Sequence, residues 1–186
     1  MTDRTLPIYD NTEIVCSRIF HDMASPLGAI RAGLELAELS GPLTQEQELM
    51  SESVDAALSR LRFFRWAFGK VTSDVGSPSE VRATLKTIAP NIDIHAIPDT
   101  GLTPIQLKFL SLAVGLCTDK HVRSLKITVA TSHYAAELML PRNFPKISAE
   151  DTGAFAVYLR YRLEIGDIEF ATSPEGISFR VVATRL

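Results

Sequence analysis

Cysteine is nearly absent from this chain: Cys16 and Cys117 are the only two in 186 residues, and they lie far apart. Two thiols at that separation make neither a disulfide framework nor a Cys-x-x-Cys metal site, and both read as buried, inert side chains. His95, His121 and His133 have no histidine partner one turn away, so no metal is expected on this chain alone. A basic excess is missing too. The formal charge of −3, from 19 Lys and Arg against 22 Asp and Glu, gives no long basic surface to suggest nucleic acid as the main ligand, and none is expected. No stretch of about 18 uninterrupted apolar residues occurs, so no membrane span is expected. The opening MTDRTLPIYDNTEI lacks the apolar core of a secretory signal, which leaves the cytoplasm as the expected location. None of the 10 glycines stands one residue from another, so Gly-x-Gly loops, whose amides approach phosphate closely, are missing.

What is present is a 46% hydrophobic composition arranged in two different patterns. Residues 1–9 read as a loose arm, and Asp10 with Glu13 three positions later reads as a variant capping box opening a helix. From there Cys16, Phe20, Met23, Leu27, Ile30, Leu34 and Ala37 repeat at alternating spacings of four and three, a heptad seam that ends at Gly41-Pro42. Pro26 falls inside this helix and removes one backbone hydrogen bond, so a local kink costing about 3 kcal/mol is expected one turn after His21. A second helix is expected over 44–68, capped by Thr44 or its neighbour, with the matching seam Met50, Val54, Ala57, Leu61, Phe64 and Phe68. Two seams joined by a short loop predict an antiparallel helical hairpin. A lone hairpin leaves half of each seam wet. A homodimeric four-helix bundle would cover it, and packing on the chain's own C-terminal domain is the other solution.

The composition changes after Gly69, and TSDVGSPS at 72–79 has the character of a linker. The expected division is a hairpin domain over 1–70, a linker over 71–78 and an α/β domain over 79–186. Within the last, the patterns predict a short helix at 79–88, an extended piece at 92–97 and an apolar helix at 104–118. Strands follow around Leu125, Ile127 and Val129 and around Leu138 and Leu140, then a helix at 149–164. Two final strands, at 167–172 and 176–184, flank the turn signal Ser173-Pro174-Glu175-Gly176. The predicted fold class is α+β, with helices on one face of a mixed or antiparallel sheet.

His21 is the residue that this framework displays. It points away from the apolar seam and is followed by Asp22, a carboxylate that can accept a hydrogen bond from one ring nitrogen and leave the other as a nucleophile. Ala24, Ser25, Gly28 and Ala32 lie within about 60° of His21 on a helical wheel, a strip of small side chains along which another protein's helix could approach. Folding the hairpin about its loop brings Arg60, Arg62 and Arg65 level with His21, where a guanidinium could steady a phosphoryl group or an acidic partner. The plain alternatives are a solvated His-Asp pair and a solvated arginine flank.

The stretch Cys16-Ser17-Arg18-Ile19-Phe20-His21-Asp22-Met23-Ala24-Ser25-Pro26-Leu27-Gly28-Ala29-Ile30 resembles the phosphoacceptor box of histidine kinases, a His-acid pair followed by Pro-Leu. It is still more similar to ChpT-type bacterial histidine phosphotransferases, including the following Gly33-Leu34-Glu35-Leu36. The resemblance implies a homodimer whose hairpins form a four-helix bundle, and an α/β sandwich resembling a degenerate histidine-kinase ATP-binding domain. It implies His21 as phosphoacceptor and Asp22 as its supporting acid, relaying a phosphoryl group between receiver-domain aspartates. The implied partners are response-regulator receiver domains and the receiver of a hybrid histidine kinase, which would supply Mg²⁺. The kinase pattern also asks for an asparagine on the first long helix of the second domain and for Gly-rich loops. Helix 104–117 has no asparagine, and Pro141-Arg142-Asn143-Phe144-Pro145 stands where such a loop would be. No ATP and no other cofactor is therefore expected. The remaining alternatives are a degenerate sensor kinase fragment and a non-catalytic dimeric adaptor for receiver domains.

Overall fold

The computed structural model describes residues 8–70, 75–95, 97, 99, 101–121, 125–131, 136–140, 148, 150, 152–164, 168–173 and 176–181. The arm before Ile8, the first half of the linker (71–74), His133, the stretch 141–145 and the centre of the turn at 174–175 lie outside these residues. The chain divides into two compact units, Met1–Lys70 and Val71–Leu186.

The first unit is a pair of helices, α1 (Ile8–Ser40) and α2 (Gln45–Phe68), packed against each other. Helix α1 begins earlier than its capping signal implied. Asp10 lies inside the helix, and Glu13, the other half of the expected box, is buried. On the helical wheel Glu13 shares the flank of Phe20 and Leu27, which is why a carboxylate read as a cap turns inward. Pro26 is accommodated in the helix interior, so the Asp22 carbonyl lacks its usual donor four residues on. Helix α2 starts where the sequence indicates: the Thr44 side chain accepts from Gln47 N–H, and the Gln47 side chain accepts from Thr44 N–H. Arg31 fastens the hairpin through Ser51 Oγ at 3.0 Å and Asp55 at 3.0 Å. Ser17 Oγ accepts from Lys70 N–H at 2.8 Å and ties the far end of α2 back to α1.

The two seams are buried unequally. Leu34 and Val54 are buried, Cys16, Phe20, Leu27, Ala37, Ala57, Leu61 and Phe68 are half-buried, and Met23, Ile30, Met50 and Phe64 are exposed. Phe63 and Ala67, outside the predicted seam, are buried.

The second unit runs α3 (Pro78–Ile88), β1 (Ile92–His95), α4 (Pro104–Asp119), β2 (Leu125–Thr131), β3 (Ala136–Leu140), α5 (Ala154–Glu164), β4 (Ile168–Ser173) and β5 (Gly176–Val181). The five strands form one sheet in the order β1-β2-β3-β5-β4. β1 and β2 are parallel, Ile92 opposite Leu125, and the other pairs are antiparallel. A parallel pair needs a long crossover, and α4 supplies it.

Ser77 and Thr103 open α3 and α4 with capping boxes to Glu80 and Gln106, each followed by proline at the first helical position. Helix α5 begins at Ala154 rather than at 149, with the Gly153 carbonyl accepting its first helical bond, from Val157 N–H. Helix α4 is buried on all sides from Gln106 to Cys117, as expected for a helix that is apolar all round. Its packing against α5 is close: a Cβ at Gly115 would collide with the Phe155 ring. Lys108, buried in the same helix, places its ammonium 5.3 Å from the centre of the Tyr158 ring.

Candidate functional site

His21 stands on α1 with its side chain 81% exposed, and Asp22 beside it is 51% exposed. The wheel puts His21 opposite Ile19, Met23 and Ile30, so the imidazole and the exposed apolar strip of α1 face different directions. His21 Nδ1 lies 3.3 Å from Asp22 Oδ1, and Arg18 Nε donates to Asp22 Oδ2 at 2.9 Å. The hydrogen bond from His21, with Arg18 as a second donor, holds the Asp22 carboxyl below the usual aspartate value of 3.8. An ionised carboxylate only accepts hydrogen bonds, so the His21–Asp22 contact requires the proton on Nδ1. In the neutral ring the Nε2 lone pair is then left for chemistry.

The small strip is exposed throughout, at Ala24, Ser25, Gly28 and Ala32. At Gly28 a Cβ would meet nothing within 4 Å, so packing within the chain does not demand glycine there. The arginine row is also exposed, at Arg60, Arg62 and Arg65. The cross-hairpin contacts of Arg31 and Ser17 set a register in which residues 63–66 stand level with His21. Arg65 and its neighbours therefore share the level of His21, yet His21 hydrogen-bonds to Asp22 and to none of the three. On the wheel they fan out around α2 rather than forming one row, with Arg60 on the far side from α1. Sequence reasoning missed Arg18. Its signal was the i, i+4 spacing of a base and an acid, which alone is common on helix surfaces.

Among the described residues no cluster of three or more His, Cys, Asp and Glu could hold a metal ion, and no helix is long and apolar enough to cross a membrane.

Over 69 residues the chain is 45% identical to the protein phosphotransferase ChpT of Brucella abortus (strain 2308). Over that span the chain is ChpT-like. The span is 37% of this chain and 33% of the relative, so the match covers about a third of the relative's length. A solved structure described as a bacterial phosphotransferase aligns with 90% of this chain and 93% of its own, at 21% identity and a TM-score of 0.42. No family model matches the chain.

Proposed function

We propose that the chain is a histidine phosphotransferase that relays a phosphoryl group between receiver-domain aspartates through His21. The observation that carries this reading is the exposed imidazole whose Nδ1 is taken by Asp22, leaving Nε2 as the nucleophile. The likeness to ChpT over a third of its length supports it.

In the forward step the Nε2 lone pair attacks the phosphorus of an aspartyl phosphate. The bond from phosphorus to the carboxylate oxygen breaks, and the aspartate leaves with the electron pair. Nδ1 keeps its proton, so the phosphorylated ring is cationic and the Asp22 carboxylate lies against that charge. The return step, to a second receiver, is the same exchange reversed. Mg²⁺ bound by the receiver would screen charge on the phosphoryl oxygens. This chain's contribution is a positioned imidazole and an approach surface, which is what phosphoryl transfer chiefly asks of a protein.

We assign Ala24, Ser25, Gly28 and Ala32 as the strip along which the receiver approaches, with Arg62 and Arg65 the arginines best placed to meet its acidic pocket. A homodimer is the second part of the reading. Ile19, Met23 and Ile30 on α1, with Met50 and Phe64 on α2, leave a line of large apolar side chains 37–51% exposed. Fully burying such a side chain is worth about 1.5–3 kcal/mol, of which half-exposure forgoes a large part. A second copy would cover that line and complete a four-helix bundle while leaving His21 outside. We read the second unit as an α/β sandwich resembling a histidine-kinase ATP-binding domain that has lost its nucleotide. A helix α4 without asparagine and a sequence without Gly-x-Gly support this, and the unit would then serve as a second docking surface for receivers in the cytoplasm.

The test is a panel of phosphorylated receiver domains, including those of hybrid kinases, mixed with the full chain. Acid-labile label is expected to move from a receiver to the wild-type protein and not to His21→Ala. A panel in which no receiver loses label to the wild-type protein, or transfer that survives His21→Ala, would overturn the reading.

A further inference from the structure

Neighbouring side chains on a helix project 100° apart and do not face each other. Asp22 Oδ1 can meet His21 Nδ1 only if the carboxylate swings back across the helix surface. Nothing buries either group, so packing does not impose that rotamer. Arg18, one turn earlier, holds the other oxygen, and the carboxylate is thereby fixed at two points: Oδ2 by Arg18 Nε and Oδ1 by His21 Nδ1. The arginine's planar fork makes it a directional anchor rather than a diffuse positive charge.

We propose that Arg18 is a positioning residue, which, by fixing the Asp22 carboxylate, keeps the His21 proton on Nδ1 and the Nε2 lone pair open toward the incoming phosphorus. A neutral imidazole divides its proton between its two nitrogens according to the hydrogen bond that one of them makes. Arg18 acts on that division through Asp22 and does not itself touch the reacting atoms. Its purpose rests on the phosphotransfer reading, but its effect on the ring belongs to the resting protein.

That separation makes the test independent of any partner. Imidazole ¹⁵N spectra of the unphosphorylated full chain, recorded at about pH 8.5 where imidazoles are neutral, give the tautomer ratio of His21, assigned by its loss in His21→Ala. Arg18→Ala should move the ratio toward Nε2–H by about twofold, the size that an exposed ion pair at this spacing can impose, and Arg18→Lys should restore part of it. In an Asp22→Ala background Arg18→Ala should have no further effect, since the carboxylate through which it acts is gone. An unchanged ratio in Arg18→Ala overturns the proposal, and so does an equal shift in the Asp22→Ala background. An Arg18-dependent ratio in a protein that accepts label from no receiver would sink the phosphotransfer reading and leave this one standing. Transfer through His21 with a ratio indifferent to Arg18 would do the reverse.

Discussion

Two glycines make opposite demands on the same substitution. A methyl group at Gly28 meets open space on an exposed helix, so Gly28→Ala should raise stability by about 0.5–1 kcal/mol through reduced backbone entropy of the unfolded chain, read as a higher Tm. If the strip is an approach surface, the same variant should slow transfer from a receiver despite its greater stability. At Gly115 the added carbon collides with the Phe155 ring, and Gly115→Ala should cost about 1–3 kcal/mol, read by urea unfolding. Asp22 adds a pH dependence at this scale. Its carboxyl, lowered chiefly by the His21 hydrogen bond and then by Arg18, contributes fully above the ordinary value of 3.8 and is lost only as pH falls through a lower midpoint. A ¹³C carboxyl titration should find that midpoint below 3.8, and Arg18→Ala should move it upward. Of this site, His21 and Asp22 are legible in the sequence because a polar pair on the face opposite a heptad seam stands out. The hydrogen bond between them is anticipated by the pair itself, but the Arg18 contact that holds the carboxylate rotamer is not legible, because a base and an acid at i, i+4 are common on helix surfaces.

Each of α2, α3 and α4 starts with its own reciprocal capping box, at Thr44, Ser77 and Thr103. Thr44→Ala should cost about 1 kcal/mol, seen as a Tm lowered by a few degrees. These boundaries could be read from the chain because the signal and its partner lie within four residues. The start of α1 could not, since Asp10 and Glu13 satisfy the pattern while tertiary burial of Glu13 overrides it. The start of α5 at Ala154 is likewise marked by a backbone carbonyl, that of Gly153, which any residue could have offered. Heptad spacing identified both hairpin helices yet assigned to a single seam residues that the structure divides between a covered flank and an open one. A pattern of fours and threes says that a face is apolar, not which partner covers it.

At the scale of the whole molecule, the open flank carries the expectation of self-association. If the proposed dimer forms through this flank, Ile19→Glu or Ile30→Glu should shift the mass in solution from dimer toward monomer in light scattering, because each would place a charge in the proposed apolar interface. His21 lies opposite that flank, so residual monomer should retain the imidazole geometry. The cysteines, scarce as they are, complete the picture in a different way. Cys117 is wholly buried in α4 and its thiol is pushed up to about 12 by burial, whereas Cys16 on α1 is half-buried. A thiol reagent applied to the native protein should therefore modify Cys16 first and reach Cys117 only when the second unit opens. The chain thus contains its own stopwatch: the slow phase of thiol labelling times how often the α4 core breathes.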